Sequence, residues 1–389
     1  MRPLLITENY PPGRGGMAQS CDRIVRGLRA RGLDVDVLHL GGRGELHVEQ
    51  HERGRLVACP VDEDPAHALN LAWSALQRID ETPTHVLAFG GLLPMLCAPV
   101  FSAWLGAPLV TLLRGNDFDT GVFSLRRGWM LRDALARSAV VCAVSEDHRR
   151  KVSGLFPGQH VVRIANGIDA TDWALLDIDR EHARAWRAAN VSPVQRVIGL
   201  FGHLKQKKGG VFLLDALAGG ALPGGVHLLV VGEIEPALEQ RMQALAGTIA
   251  WTHVPFLDRF ELLRWYAACD AVAIPSLYDG LPNVALEAGA LGVPVIGSTA
   301  GGLADLLVDG ENALTFAPGD LHACRRALDV AAESADLAAL GRSLQATVLR
   351  DFDQRSEAAR YHELLRDLAA PMQGARASTS PQPATAEDL

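Results

Sequence analysis

The densest chemistry in this 389-residue chain lies in one run, Pro275-Ser276-Leu277-Tyr278-Asp279-Gly280-Leu281-Pro282-Asn283-Val284-Ala285-Leu286-Glu287-Ala288. Two carboxylates, Asp279 and Glu287, bracket seven residues that include a Gly-Leu-Pro-Asn turn. The run follows an apolar strand-like segment and opens a helical pattern. The first turn of such a helix presents free backbone N–H groups and partial positive charge, a seat for phosphate or sugar hydroxyls. Glu287 falls about one turn into that helix, where a carboxylate can accept two hydrogen bonds, as from a ribose diol. Read alone, the same pair also suits a turn cap at Asp279 and a local surface ion pair at Glu287. A second run, Gly202-His203-Leu204-Lys205-Gln206-Lys207-Lys208-Gly209, supplies three lysines. Fixed cations of this kind lower the barrier for a leaving group that gains negative charge.

Elements must hold these runs in place, and their order is legible. Apolar runs at Pro3–Thr7, Asp34–Leu40, His85–Phe89, Leu109–Leu113, Val140–Val144 and Val161–Ile164 read as strands. Helical patterns over Ala18–Arg31, Arg126–Arg137 and Asp147–Leu155 lie between them. The scheme then restarts. Strands are expected at Arg196–Phe201, Val226–Val231, Ile249–Val254, Ala271–Pro275 and Pro294–Gly297, with helices at Gly210–Ala218, Ala237–Ala246, Arg259–Ala268 and Val284–Leu291. Such alternation gives a doubly wound parallel sheet, here twice. The uncharged stretch from Val86 to Leu113 is long enough to span a bilayer. Its Gly and Pro residues divide it instead into a buried strand, a helix and a second buried strand. The polar connection from Asn166 to Val194, with a short helix near Arg180–Ala189, reads as an interdomain linker that permits hinge closure.

The two runs resemble, in the same order, the motifs of the retaining glycosyltransferases of family 4 (glycosyl transferases group 1), which have the GT-B fold. Asp279 to Glu287 resembles the family's Glu, seven residues, Glu. Gly202 to Gly209 is similar to its Gly-Arg-Leu, three residues, Lys-Gly. Asn166-Gly167-Ile168-Asp169 resembles its Asn-Gly-Val-Asp, and Pro11-Pro12-Gly13-Arg14-Gly15-Gly16 its N-terminal glycine loop. Val144-Ser145-Glu146, and Gly301-Gly302 through Asp309-Gly310 and Asn312, match further along. The resemblance implies two Rossmann-like domains facing each other across a cleft. Residues 1–167 would bind the acceptor, 168–194 would link, 195–350 would bind the nucleotide sugar, and 351–369 would form a helix crossing back. Residues 370–389 would be a disordered tail.

The roles it implies follow residue by residue. Lys208 neutralises the donor diphosphate, with Lys207 or Lys205 in support, and Glu287 binds the ribose. Asp279 and the segment Gly280, Leu281, Pro282, Asn283 and Val284 hold the transferred sugar. The backbone near Phe256 and Leu257 meets the base, and Gly15 and Gly16 admit the phosphates closely. The family retains anomeric configuration without an established side-chain nucleophile, the leaving phosphate helping to deprotonate the acceptor. Asp117 then orients sugar or acceptor, or is merely a turn residue after its strand. The implied catalytic set is Asp117, Arg114, Lys208 and Asp279. The implied activity is a hexosyltransferase-type transfer from a UDP-, GDP- or ADP-linked sugar, with no cofactor and no metal. Three positions depart from the family. His203 stands where Arg is usual, which bears on the phosphate clamp. Arg114 stands where His is frequent, bringing a fixed cation that could take over part of phosphate binding. Asp279 replaces a Glu, which bears on sugar preference.

Other readings compete. Gly13-Arg14-Gly15-Gly16-Met17-Ala18 also fits a dinucleotide fingerprint, with Asp34 or Asp36 downstream, and would make the chain an NAD- or FAD-dependent oxidoreductase. Pro11 and Pro12 spoil the tight turn that fingerprint needs. A sugar-nucleotide binding protein without turnover, a phosphorylase or an epimerase are further alternatives. His47 and His51 lack the Glu placement of a zinc hydrolase and read as a surface stretch. The pairs Asp34/Asp36, Asp117/Asp119 and Asp177/Asp179 are too short a pattern to define a metal site. With a formal charge of -8, nothing global suggests a nucleic-acid partner, which would usually need a basic face. Six scattered cysteines with no Cys-x-x-Cys fit a reducing cytosol, and the N-terminus has no signal-peptide run. Arg126-Arg127-Gly128-Trp129-Met130-Leu131-Arg132 could touch an anionic membrane, which would place the protein at its inner face. The plainer alternative packs Met130, Leu131 and Leu135 on the sheet and leaves arginine in water. Acceptor identity and oligomeric state are not encoded in any of these patterns.

Overall fold

The computed structural model describes residues 1–41, 45–61, 64–77, 81–220 and 225–377. The first half runs β1 (Pro3–Thr7), α1 (Gly16–Ala30), β2 (Asp36–Leu40), β3 (His47–His51), β4 (Gly54–Cys59), α2 (Pro65–Gln77), β5 (His85–Phe89), α3 (Leu93–Leu105), β6 (Leu109–Leu113), α4 (Asn116–Asp119), α5 (Gly128–Arg137), β7 (Ser138–Ala143), α6 (Glu146–Leu155) and β8 (Val161–Arg163). After the connecting α7 (Asp177–Asn190) come β9 (Arg196–Phe201), α8 (Gly210–Ala218), β10 (Val226–Val231), α9 (Pro236–Ala244), β11 (Ala250–Val254), α10 (Arg259–Ala267), β12 (Ala271–Ile274), α11 (Asn283–Ala290), β13 (Val295–Ser298), β14 (Leu314–Phe316), α12 (Leu321–Glu333), α13 (Leu337–Asp351) and α14 (Gln354–Ala377).

The strands form two sheets, ordered β3-β4-β2-β1-β5-β6-β7-β8 and β11-β10-β9-β12-β13-β14. All pairings are parallel except β3 with β4. Strands β1, β5, β6 and β10 are buried along their whole length. That is why they read as unbroken apolar runs: helices cover both faces. The Val86–Leu113 stretch is β5, α3 and β6, and among the described residues no helix is long and apolar enough to cross a membrane. In each sheet the strand order reverses once, between β1 and β5 and between β9 and β12. Ligands of doubly wound sheets bind outside the carboxyl ends of the strands at such a switch point.

Several elements differ from the sequence expectation. His47–His51 is an exposed antiparallel edge strand, its charged and polar side chains suiting an unpaired edge. The three-residue strand β14 and helices α12 and α13 are additional to the sequence expectation, although α12 buries a regular stripe of Cys324, Ala327, Leu328 and Ala331. Helix α14 continues to Ala377, into the segment assigned by composition to the tail; residues 378–389 lie outside the described residues.

The chain crosses between the domains twice, and the crossings pair. Ile168 donates to the Phe352 carbonyl at 2.8 Å, and Gln354 donates to the Ile168 carbonyl at 3.1 Å. Beyond the crossing, α14 buries Tyr361 and Leu365 in the first-domain core with Ile24 and Leu28. The domains also meet backbone to backbone. A Cβ on Gly115 (φ +124°) would stand 2.8 Å from the Gly280 nitrogen, and one on Gly280 would run into the Arg114 carbonyl oxygen. Overpacking of this kind costs about 1–3 kcal/mol. Gly280→Ala is therefore expected to hold the domains apart and to widen the molecule in small-angle scattering. The thermal unfolding of the second-domain core should be preserved. Unaltered scattering would show that this contact does not set the interdomain distance.

Candidate active site in the interdomain cleft

A cavity of about 710 Å³ lies between the two sheets. Its walls are the loops that leave the strand ends at the two switch points. Glu8, Arg14, Gly15 and Gly16 follow β1, and Gly91 and Leu92 follow β5. His203, Lys207 and Lys208 follow β9, and Asp279, Leu281, Pro282, Asn283 and Val284 follow β12. Phe256 and Leu257 come from the loop after β11, and Glu287 from α11.

Asp279 is buried and holds two cations. Its carboxylate pairs with the Lys208 ammonium, and Lys207 Nζ stands 3.6 Å from its other oxygen. Burial pushes the Asp279 carboxyl up, but the charges of Lys208 and Lys207 outweigh burial and hold it below the ordinary aspartate value. Burial pulls Lys207 down, against the charge of Asp279. Gly209, in the left-handed region at φ +71°, ends the single turn of 3-10 helix that carries both lysines. A Cβ there would strike the Pro275 carbonyl, so the lysine loop lies directly on the strand end that leads to Asp279.

Glu287 is also buried, and its environment differs. Tyr266 donates to Glu287 Oε2 at 2.6 Å, and the Tyr266 ring stacks on Phe201 with centroids 4.0 Å apart. Burial pushes the Glu287 carboxyl up to about 7, opposed by the Tyr266 hydrogen bond and by the charges of Arg23 and Lys208. Of these two cavity carboxyls, Asp279 is thus held ionised and Glu287 is poised near neutrality. The surface-pair alternative for Glu287 does not hold, because its partner is a buried tyrosine.

The first domain contributes two pinned groups. Both Asp117 oxygens accept backbone N–H bonds, from Arg114 at 2.9 Å, Gly115 at 2.8 Å and Phe118 at 3.1 Å. This is the turn-capping arrangement, and it orders the loop after β6 at the cavity wall. Burial raises the Asp117 carboxyl above the usual range, against those donors. Arg114 lines the cavity, but its guanidinium is engaged elsewhere. It donates to Asn166 Oδ1 and, at 3.4 Å, to the Tyr361 hydroxyl, and lies 5.0 Å from the Phe89 ring centroid. At the junction of the two domains, its guanidinium thus meets acceptors on the linker and on α14. Asn166 in turn donates to the Leu281 carbonyl at 2.7 Å, which ties the hinge to the Asp279 loop.

Not every expected residue reaches the cavity. Lys205 lies on the exposed start of its turn and is absent from the cavity wall. Gly280 is a spacer between the domains rather than a wall residue. His203 is half exposed at the rim, 3.6 Å from Glu233. Asp36, needed by the dinucleotide alternative, is fully buried and taken by Arg2 at 2.7 Å and Arg55 at 3.5 Å. Of the other short acidic pairs, Asp119 meets His148 at 3.0 Å and Asp179 caps α7 through the Leu176 N–H. Sequence reading gave no role to Tyr266, to Asn166 or to Arg14, whose guanidinium carbon lies 5.0 Å from the Phe256 ring centroid across the cleft. No local motif marks Tyr266; its partner is 21 residues away.

The raised carboxyl at Glu287 has a signed consequence. Its folded value of about 7 lies above the ordinary 4.5, so its contribution to stability is complete below about pH 4.5 and is lost as pH rises through 7. Glu287→Gln is expected to be more stable than the parent at pH 8, on the order of 3 kcal/mol, with the difference vanishing towards pH 4.5. Thermal unfolding across that range reads it; an equal difference at both ends would show that folding does not raise the Glu287 carboxyl.

Two family models match the chain: Glycosyltransferase Family 4 over residues 14–172 and Glycosyl transferases group 1 over residues 195–333. The chain is 29% identical to a glycogen synthase of Mycobacterium tuberculosis, covering 92% of each. It is 27% identical to a GDP-mannose-dependent alpha-(1-6)-phosphatidylinositol monomannoside mannosyltransferase of Mycolicibacterium smegmatis, covering 93% of this chain and 97% of that one. Among solved structures, HepE of Anabaena in complex with UDP and glucose superposes with a TM-score of 0.77 at 20% identity, over 94% of this chain and 100% of that one. With its two parallel sheets and the switch-point cleft between them, the chain belongs to the family 4, group 1 glycosyltransferases of the GT-B fold.

Proposed function

We propose that the protein is a retaining, metal-independent, hexosyltransferase-type enzyme that takes its sugar from a nucleoside diphosphate. The observation that carries this reading is the joint placement of Lys207 and Lys208 on Asp279, with Glu287 in the same cavity. A diphosphate entering beside Asp279 meets two ammonium groups, and fixed cations stabilise the charge that grows on the leaving group. That supports transfer without a bridging metal. Glu287 offers oxygens to the ribose diol, Phe256 and Leu257 offer a wall to the base, and Asp279 with the Leu281 to Val284 segment faces the sugar. The donor's bond from anomeric carbon to phosphate oxygen breaks, a bond to the acceptor oxygen forms on the same face, and the acceptor proton passes to the departing phosphate. The engagement of both Asp117 oxygens by backbone N–H groups supports this route over a side-chain nucleophile. Similar proteins differ in donor, one relative being GDP-mannose-dependent and one fold neighbour binding UDP, so the base is a matter for a donor panel. The free state of all six cysteines agrees with a reducing, cytoplasmic setting.

The test is turnover of UDP-, GDP- and ADP-linked glucose and mannose, with and without EDTA, and the anomeric coupling constant of the product by proton NMR. Release of one nucleoside diphosphate, undiminished by EDTA, with the donor's configuration kept, is expected. An inverted product would overturn retention, and loss of turnover with EDTA would overturn metal independence. Lys208→Ala and Glu287→Ala should each weaken donor binding at least tenfold, about 1.4 kcal/mol, by calorimetry, with circular dichroism unchanged. Because the Glu287 carboxylate is the accepting form, donor affinity should rise with pH through about 7 in the parent and stay flat in Glu287→Gln. Parental affinity in both alanine variants would remove the assignment.

A further inference from the structure

Helix α5 and the turns before it divide their residues between the cleft and the outside. Leu131, Ala134 and Leu135 pack into a buried cluster with Leu113, Phe118 and Val152. Arg127, Met130 and Leu131 also line the first-domain end of the cavity, beside Leu92 and Met95. On the outer side, Phe123 is 86% exposed, Leu125 98% and Trp129 66%. Phe123 and Leu125 are the most exposed large apolar side chains among the described residues.

The backbone fixes this arrangement. Ser124 donates to the Gly121 carbonyl at 3.1 Å, Gly128 to Ser124 at 2.7 Å and Leu131 to Arg127 at 2.9 Å. These turns lead directly into α5, so the exposed Phe123, Leu125 and Trp129 fall within seven consecutive residues. The surrounding charge is basic in a chain of net charge -8. Arg126 and Arg127 are exposed on this segment, and Arg132 lies 5.5 Å from the Phe156 ring centroid. Among the described residues, none of these three arginines forms an ion pair, and the one nearby carboxylate of α5, Asp133, is paired with Arg137 at 2.8 Å. Burying three large apolar side chains in water-excluding surroundings is favourable, and unpaired arginines beside them select an anionic partner.

The geometry points to an anionic membrane surface as the partner of this face, with Phe123, Leu125 and Trp129 entering the headgroup boundary and Arg126 and Arg127 meeting lipid phosphates. The acceptor end of the cleft then opens at headgroup level, past Arg127 and Met130. The surface stands on its own observations; its meaning for the acceptor rests on the transferase reading above. Trp suits that boundary because its apolar ring carries a polar N–H, while Phe and Leu add buried apolar area.

The test uses the full chain and flotation with two vesicle compositions, phosphatidylcholine alone and phosphatidylcholine with a quarter phosphatidylglycerol. Binding to the anionic vesicles, weakened by salt, is expected. The triple variant Phe123→Ser, Leu125→Ser, Trp129→Ser should lose at least tenfold, and Arg126→Ala about fivefold. Nucleoside diphosphate binding by the triple variant, read by thermal shift, should match the parent, which separates failure of this surface from failure of the donor site. Absence of vesicle binding, or binding that the triple variant keeps, would overturn the inference. So would a dimer in sedimentation velocity that the triple variant abolishes, since the face would then be a protein interface.

Discussion

Everything in the cleft depends on two backbones being allowed to touch. Gly115 at the end of the first sheet and Gly280 at the end of the second have no Cβ, so the loops after β6 and β12 meet without side chains between them. Asn166 then spans the same gap, accepting from Arg114 and donating to the Leu281 carbonyl. Because parallel strands put their carboxyl ends on one edge of a sheet, bringing two such edges together converges the loops of both switch points on a single volume. The site is thus a consequence of where the sheets face each other, and the paired crossings at Ile168 and Phe352 keep them facing.

Within that volume the charges are arranged as alternatives to a ligand. Asp279 occupies both lysines, so an arriving anion competes for cations that are already positioned, and little rearrangement is required of them. Glu287 is held near neutrality by burial, with a single tyrosine hydroxyl as partner. A buried carboxyl of this kind costs stability at neutral pH, and local costs of this sort collect where a ligand is expected to supply the missing hydrogen bonds. At Arg114, a family position often filled by His is here a cation that lines the cavity and also donates to the linker and α14.

Most of the fold was legible because its strands are buried on both faces and flanked by turns. Pro3–Thr7, His85–Phe89, Leu109–Leu113, Arg196–Phe201 and Val226–Val231 carry that signal in full. The edge strand β3 did not, because a run of polar side chains at a sheet edge looks like surface. In the site, residues inside local motifs were readable: Lys208, Asp279 and Glu287 line one cavity as their spacing suggested. Residues that act across the sequence were not. Tyr266 reaches Glu287 from another helix, and Arg14 reaches Phe256 from another domain. Lys205, just before the single turn of 3-10 helix, is exposed, while Lys207 and Lys208 within it meet Asp279.

The central claim is that this cleft binds a nucleoside diphosphate through its own cations. It is tested most directly by the thermal stability of the intact chain with UDP, GDP, ADP and NAD, each with magnesium and with EDTA. One nucleoside diphosphate should stabilise the protein by about 2.7 kcal/mol at a hundred times its dissociation constant, equally in magnesium and in EDTA. A shift with NAD alone, or no shift with any diphosphate, would contradict the account.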